Sequence, residues 1–162
     1  MATVNISYAS STTITCTLAS LASSATVGRQ CTVVDNTTNK YIDALLTISI
    51  KTSASALAND KAVYVYLSGS EDGTNFDQDD ATFGTTDAAY TINTASNLKG
   101  PGVISCPTSA KVYTKTFSVA SFFGGVMPRK WGFAIVNFTG QALDATEGNH
   151  IKSYTGITET VA

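Results

Sequence analysis

The sequence predicts an all-β protein: a single-domain, antiparallel β-sandwich of jelly-roll type with little helix. Apolar and polar residues alternate in several segments, which is the pattern of strands that bury one face. Turn signals rich in Gly, Asn and Asp separate about ten such segments at short spacing, as in sandwiches and jelly rolls. The composition agrees, because Thr favours strands whereas Gly, Asn and Asp favour turns.

The length of the chain fits one folding unit. A chain of 162 residues has the size of a single domain, and folding at this size buries about 70% of the unfolded surface. We therefore expect one domain over residues 1–162, with a core that needs neither a metal nor a disulfide. Residues 1–12 are polar and lack a helical pattern, so they are a candidate for an extended N-terminal arm.

The first half of the chain predicts a series of strands. Short β-prone runs between turn signals indicate strands at residues 4–8, 12–19 and 31–35. Residues 41–51 show the longest alternation, because every second residue is apolar and most of the others are polar. This segment predicts a long, half-buried strand.

The central strands are predicted where both faces are apolar. Residues 61–68 and 131–138 have this property, so we expect each to be covered on both sides. Trp131 begins the more apolar of the two, which places its indole inside the core. Further strands are predicted at residues 89–92, 102–106, 111–119 and 150–154.

Helical signals are short. Residues 18–25 and 120–128 each have the composition for a turn or two of helix. Gly124, Gly125 and Pro128 exclude a longer helix in the second segment, because glycine and proline destabilise helix interiors.

Charge and hydropathy exclude two classes of partner. The formal net charge is −2, and the ten Lys and Arg residues are scattered, whereas nucleic acid binding needs clustered positive charge. No apolar run reaches the ~20 residues that span a bilayer, and the N-terminal residues lack the pattern of a secretory signal. We therefore expect no nucleic acid, no membrane and synthesis in the cytoplasm.

The cysteines predict no disulfide framework. Cys16, Cys31 and Cys106 are odd in number and lack the CxxC spacing of metal sites. Cys16 and Cys31 could meet only if their strands were neighbours. We expect three buried or half-buried thiols in a reducing compartment.

An acidic stretch is the most distinctive local feature. Residues 67–87 hold six of the twelve acidic residues and no Lys or Arg. The candidate interaction loop within this stretch consists of Glu71, Asp72, Asp77, Asp79 and Asp80.

Four interpretations of this loop are open: a solvated loop, a docking surface, a calcium site and a catalytic carboxylate pair, in that order of preference. Asp72 and Gly73 read as a tight hairpin turn, and Phe76 is expected to pack back onto the sandwich. The order of acidic residues differs from that of the helix-loop-helix calcium loop. Paired catalytic carboxylates need a walled cleft, which nothing here predicts.

Catalytic motifs are not evident in the sequence. The only histidine is His150, and a general base there would need Asp144 or Glu147 to orient it. We expect instead a surface or edge-strand residue. The glycines near the acidic stretch do not form a phosphate-binding pattern. We predict no enzyme activity, no cofactor and no metal site.

Four segments resemble small virion structural proteins of tailed bacteriophages. They are MATVNISYASSTTITCTLASLA, VDNTTNKYIDALLTISIKT, AVYVYLSGSEDGTNF and FSVASFFGGVMPRKWGFAIVNFTGQALDATEGNHIKSYTGI, which together span nearly the whole chain. SEDGTNF is the less specific part. FGGVMPRKWG, followed by LDATEGNHIKSYTGI, is the more specific part.

The resemblance implies a non-enzymatic virion protein, in first place a decoration or cement protein that binds between subunits of the major capsid protein. It implies other virion proteins as partners and a homo-oligomer, and it brings no catalytic or metal residues. A tail or baseplate component is the structural alternative. A glycan-binding β-sandwich module is the alternative from another class, and it would use exposed aromatic side chains chosen from Tyr64, Tyr66, Phe76, Tyr90 and Trp131.

Overall fold

A computed structural model describes residues 3–161 and contains two antiparallel sheets packed face to face. A single helical turn, α1 (Val119–Phe122), and a 3-10 turn at Glu147–Asn149 are the helical elements of these residues. The strands in chain order are β1 (Val4–Tyr8), β2 (Thr12–Thr13), β3 (Val27–Gln30), β4 (Val34–Asp35), β5 (Asp43–Lys51), β6 (Ala62–Ser70), β7 (Ala88–Thr91), β8 (Lys99–Ser105), β9 (Val112–Ser118), β10 (Lys130–Phe138) and β11 (Ile151–Val161).

The strand order is that of a jelly roll. In the five-stranded sheet β1 and β2 both pair with β11, followed by β5 and β9; the six-stranded sheet has the order β7, β3 with β4, β10, β6 and β8. Each strand of the first half pairs with its mirror strand of the second half: β6 with β8, β5 with β9, β3 and β4 with β10, β1 and β2 with β11. The chain thus folds as one long hairpin wrapped into two sheets. The predicted fold class is confirmed.

The main core lies between the sheets. Along β5 the residues Ala44, Leu46, Ile48 and Ile50 are fully buried, which is the apolar face that the alternation predicts. They face buried side chains of β6 and β10, including Trp131, which is 0% exposed as expected. Each buried Leu or Ile side chain contributes about 1.5–3 kcal/mol to stability.

A second apolar cluster covers the outer face of the six-stranded sheet. Residues 71–98, inserted between β6 and β8, place Phe83 and Tyr90 on β10. Gly132 permits this contact, because a Cβ at that position would lie 2.8 Å from the Phe83 ring. The cluster explains why β6 and β10 are apolar on both faces.

Several element boundaries differ from the predictions. The segment 12–19 is a strand only at Thr12–Thr13, the segment 18–25 is not helical, and α1 is a single turn followed by Gly124 and Gly125 at positive φ. The last strand extends to Val161 rather than ending at 154. Among its final residues Ile157 and Val161 are apolar, and residues 158–161 pair with β1 alone.

The hairpin predicted at Asp72 and Gly73 is wrong. The antiparallel neighbours of β6 are β8 and β10, so the turn after Ser70 begins the long insertion and does not join two paired strands. The turn at Asp72 and Gly73 forms as predicted. The segment that follows it does not pair with β6, because the strand that does, β8, lies beyond the inserted residues 71–98.

A disulfide joins Cys16 to Cys31, so the expectation of reduced thiols is wrong for this pair. Their segments lie side by side, because the Thr32 N–H donates to the Thr15 carbonyl oxygen at 2.9 Å. This register sets the two cysteines opposite each other, with Cα atoms 4.6 Å apart. The disulfide joins the segment after β2, in the five-stranded sheet, to the segment after β3, in the six-stranded sheet, and is buried in the main core. Cys106 remains a buried thiol, and burial raises its pKa to about 11.

Removal of the disulfide should destabilise the fold. For a sequence separation of 15 residues, the chain-entropy model gives about 3 kcal/mol, or roughly 6–12 °C in Tm for a domain of this size. We expect Cys16→Ala/Cys31→Ala to lower Tm by this amount. Dithiothreitol should lower the Tm of the wild type and of Cys106→Ala but leave the double variant unchanged. Equal sensitivity of the double variant to reductant would contradict this assignment.

Glu147 ties the segment that follows β2 to β11. Its Oε2 accepts hydrogen bonds from the N–H groups of Leu18 at 2.8 Å and Ala19 at 2.7 Å. Its Oε1 pairs with Lys152, whose side chain is only 6% exposed. Partial burial by itself would raise the pKa of Glu147, but the Lys152 ion pair and the two amide bonds outweigh it, so the pKa lies below its ordinary value of 4.5.

Glu147 should make stability depend on acid pH. Because its pKa is lower in the folded than in the unfolded chain, its contribution is fully present above the ordinary value and is lost as the pH falls through the folded-state value. Glu147→Gln removes this contribution and keeps an oxygen for the two amides. Urea unfolding should show the largest difference in free energy from the wild type near neutral pH, shrinking below about pH 4. A difference that is constant with pH would exclude this role.

Candidate interaction surfaces

The first turn of the acidic loop is held by hydrogen bonds to the Asp72 carboxylate. Its Oδ1 accepts hydrogen bonds from the N–H groups of Thr74 and Asn75, both at 2.7 Å, and from the Ser70 hydroxyl at 3.0 Å. Its Oδ2 accepts from the Asn75 side chain at 2.6 Å. These donors, led by the Asn75 amide, hold the pKa of Asp72 well below its usual range. Asp72 therefore closes the turn after β6.

Asp79 joins the acidic loop to the segment before β8. Its carboxylate accepts from the N–H groups of Asn93 at 2.9 Å and Asn97 at 2.8 Å, and from the Ser96 hydroxyl at 2.9 Å. The carboxylate satisfies backbone donors that have no strand partner. Two parts of the insertion are thereby held together.

Two further carboxylates bind basic side chains outside the loop. Asp77 lies 3.4 Å from the Lys99 ammonium. Asp87 pairs with the Arg29 guanidinium and accepts from the Thr17 hydroxyl at 2.5 Å. Partial burial favours the neutral acid, but the Arg29 and Thr17 hydrogen bonds outweigh it and lower the pKa of Asp87. The acidic stretch is thus neutralised in part by residues distant in sequence.

The root of the loop is aromatic. Phe76 is half-buried, as expected, and stacks on Phe83 with ring centroids 6.0 Å apart. Phe83 contacts Tyr90 edge to face at 5.3 Å. The Tyr90 hydroxyl donates to the Ala81 carbonyl oxygen and accepts from the Asp79 N–H, both at 3.1 Å. The loop is anchored to the second apolar cluster.

The candidate loop residues therefore divide into two groups. Asp72, Asp77 and Asp79 make the internal contacts described above. Glu71 and Asp80 are exposed, and their side chains make no hydrogen bond or ion pair with any residue in the part of the chain that the structure describes. Within residues 3–161, no group of three or more His, Cys, Asp or Glu side chains is placed to hold a metal ion.

His150 is buried, at 5% exposure, so the expectation of a surface or edge residue is wrong. The Lys51 N–H donates to Nδ1 at 3.3 Å, which puts the proton on Nε2, 3.0 Å from the Asp144 carbonyl oxygen. The Asp144 carboxylate instead accepts from Asn149 at 2.7 Å, and Glu147 binds the groups named above. Among the described residues, neither carboxylate orients the imidazole.

The five aromatic residues considered for glycan binding do not form an exposed platform. Trp131 and Tyr90 are buried, and Tyr64, Tyr66 and Phe76 are half-buried. The Tyr64 hydroxyl is 2.5 Å from Asp60, and this hydrogen bond raises the pKa of Tyr64 to about 12.

Several strongly exposed apolar residues lie at the two chain ends. Val4, Ile6 and Tyr8 of β1 and Val161 of β11 are 59%, 62%, 63% and 72% exposed. Sequence reasoning identified the first segment as an arm but missed its partner. Ile157 and Val161 are apolar and lie four positions apart, on the same face of an extended chain, and this was the signal that could have extended the last strand. The arm prediction includes residues 1 and 2, which lie outside the described residues.

None of the helices found in residues 3–161 has the length and apolar character needed to cross a bilayer. Compared with protein-family models, curated proteins and solved structures, the chain matches none of them. The fold and its surfaces define a jelly-roll β-sandwich whose polar loops are held by internal contacts.

Neighbouring carboxylates in the loop should differ in their effect on stability. Asp79→Ala leaves the Asn93 and Asn97 amides and the Ser96 hydroxyl without their acceptor, and we expect a loss of about 1–3 kcal/mol in the free energy of unfolding. Asp80→Ala removes an exposed side chain and should change it by less than about 0.5 kcal/mol. Urea unfolding monitored by Trp131 fluorescence measures both. Equal losses would show that the loop is not held by Asp79.

Proposed function

We propose that this protein is a non-enzymatic structural protein of a tailed bacteriophage virion that decorates and cements the capsid. Its principal partner is the major capsid protein, between whose subunits it binds, and other virion proteins surround it there. It is made in the host cytoplasm and acts in the virion as a homo-oligomer. The four segments that resemble phage virion proteins support this class of function.

The observation that carries the proposal is how the polar side chains are used. Asp72, Asp79 and Glu147 accept hydrogen bonds from their own chain, and His150 is buried against backbone groups. Exposed apolar side chains on β1 and the unpaired edge of this strand remain at the surface, together with polar residues such as Glu71 and Asp80. Such a molecule is suited to work by shape and surface burial rather than by chemistry at a site. The jelly roll is also a fold used by viral capsid proteins and by lectins.

The disulfide supports an exposed position on a particle. Disulfides persist in oxidising surroundings, which include virion surfaces, and are rare in the cytosol. A protein made in the cytoplasm would form the Cys16–Cys31 bond once the particle leaves the cell. The bond would then stabilise the decoration protein in the state in which the capsid needs it.

The mechanism is burial of complementary surface between neighbouring shell subunits. Each contact raises the free energy needed to separate the subunits, and an interface of about 800 Å² per partner suffices for specific binding. Linked copies bind with a higher effective concentration than single copies. Glu71 and Asp80 are the loop carboxylates that remain available for a basic patch on the capsid.

The proposal predicts that the protein stabilises capsids. Cryo-EM of purified virions should show the jelly roll at regular positions between major capsid subunits. Capsids that lack the protein should release their genome at a lower temperature, and added protein should restore the wild-type value. Glu71→Gln/Asp80→Asn should bind capsids more weakly by a few-fold at low salt. The charge-retaining control Glu71→Asp/Asp80→Glu should bind as the wild type does.

Other outcomes would replace this proposal. Virions without the chain would exclude a virion role. Density in a ring or along a tube would assign the protein to the tail or baseplate. Saturable binding of the purified protein to an oligosaccharide, together with its absence from virions, would favour the glycan-binding module.

A further inference from the structure

The two chain ends form a two-stranded ribbon at the edge of the five-stranded sheet. This terminal ribbon consists of Val4–Tyr8 and 157–161, paired in antiparallel register from Val4 opposite Val161 to Tyr8 opposite Ile157. The next strand, β5, pairs with β11 only as far as Asp43 opposite Ile157. The ribbon therefore continues past its neighbour in the sheet, and all five residues of β1 are exposed.

The terminal ribbon has one apolar and one polar face. Directly opposite residues in an antiparallel pair lie on the same face, and successive residues alternate between faces. One face carries Val4, Ile6, Tyr8, Ile157 and Val161, interrupted only by Glu159. The other face carries Asn5, Ser7, Thr158 and Thr160. The apolar face is uncovered.

The outer edge of β1 presents unpaired backbone groups. The Ala9 N–H donates to the Gly156 carbonyl oxygen at 2.9 Å, so Ala9 is a hydrogen-bonded position of the ladder. Bonded positions alternate along an antiparallel pair, so the odd-numbered residues of β1 face β11. The N–H and C=O groups of Val4, Ile6 and Tyr8 therefore point away from the sheet. Their side chains lie on the apolar face.

We infer that a second copy of this chain pairs with this edge, β1 against β1, about a two-fold axis at Ile6. The pairing sets Ile6 opposite Ile6 of the other copy and Val4 opposite its Tyr8. Each such pair exchanges both backbone hydrogen bonds. The result is a continuous four-stranded unit whose apolar face is contributed by both copies.

No charge on β1 opposes the pairing of two copies. β1 has no charged residue, and the only charge on the ribbon is Glu159 of β11. In the paired unit the two Glu159 carboxylates are three strand spacings apart, about 14 Å. Screening at physiological salt acts over about 8 Å, so their repulsion is weak.

The opposite edge of the same sheet has the protection that β1 lacks. β9 carries Lys115, whose ammonium donates to the Val103 carbonyl oxygen at 2.8 Å. Lysines on an edge strand discourage pairing with another chain. β1 contains neither lysine nor proline. An apolar, unprotected edge of this kind is stable against aggregation when a specific partner closes it.

The interface is small. Edge pairing buries the outward backbone groups of β1 and the flanking sides of Val4, Ile6 and Tyr8, while the apolar face stays on the surface of the four-stranded unit. Five paired residues per copy bury roughly several hundred Å² in total, which is the size of a weak, transient contact. We expect a dimer that dissociates in the micromolar range.

The first test uses the purified full-length chain and two matched lysine variants. Ile6→Lys introduces a charge at the two-fold axis, whereas Val112→Lys does so on β9 at a residue of similar exposure, 57% against 62%. Sedimentation equilibrium should show a wild-type dimer, a dimer for Val112→Lys and a monomer for Ile6→Lys. Thermal unfolding of Ile6→Lys at low concentration should match that of the monomeric wild type. A wild type that stays monomeric at high micromolar concentration would overturn the inference, as would a dimeric Ile6→Lys.

The second test fixes the register. In the dimer, Ile6→Cys places two cysteines opposite each other with Cα atoms about 5.5 Å apart, which is within the range for a disulfide. Ser7→Cys places them about 8 Å apart and on the polar face. Mild oxidation should crosslink Ile6→Cys into a dimer and leave Ser7→Cys uncrosslinked. Equal crosslinking of both variants would overturn this register.

The inference rests on the proposed function, which includes a homo-oligomer, and it assigns the edge of β1 as the contact between copies. Experiments can contradict the dimer and the virion role independently. A monomeric purified chain would remove the dimer and leave capsid binding open. A chain that is dimeric but absent from virions would support the dimer and exclude capsid binding.

Discussion

The structure depends on the antiparallel pair of β6 and β10. Its register runs without interruption from Ala62 opposite Phe138 to Ser70 opposite Lys130. Both strands are apolar on both faces, so each face requires a cover. The five-stranded sheet covers the inner face around Trp131, and the insertion of residues 71–98 covers the outer face. The result is a jelly roll whose six-stranded sheet carries an additional layer on its outer face.

The acidic character of the insertion follows from its irregular parts, because β7 is the one strand within residues 71–98 that pairs in a sheet. The rest has no strand ladder, so its backbone N–H groups need acceptors, and ordering it costs conformational entropy. Asp72 and Asp79 supply these acceptors, and Asp87 binds Arg29 on β3. Most of the acidic density is therefore explained by the folding of the loop. Only Glu71 and Asp80 remain for a partner.

Two further features concern the links between the sheets and the ends of the chain. The buried disulfide between Cys16 and Cys31 joins the segment after β2 to the segment after β3, where the chain crosses between the sheets. The two chain ends meet along β11 and leave an apolar, unprotected strand edge at Val4–Tyr8. A rigid body with such an edge is suited to assembly, both with copies of itself and with a shell of repeated subunits.

The sequence by itself determined the fold class, the buried faces of β5, β6 and β10 and the internal position of Trp131. These properties depend on period-two alternation and local turn chemistry, which are readable within about ten residues. Tertiary structure alone decided the Cys16–Cys31 bond, the burial of His150, the division of the acidic loop and the pairing of β1 with residues 157–161. Each of these features depends on contacts between segments that are distant in sequence or lie outside regular strands. Such contacts are determined by how the segments align in the folded protein and not by a local sequence pattern.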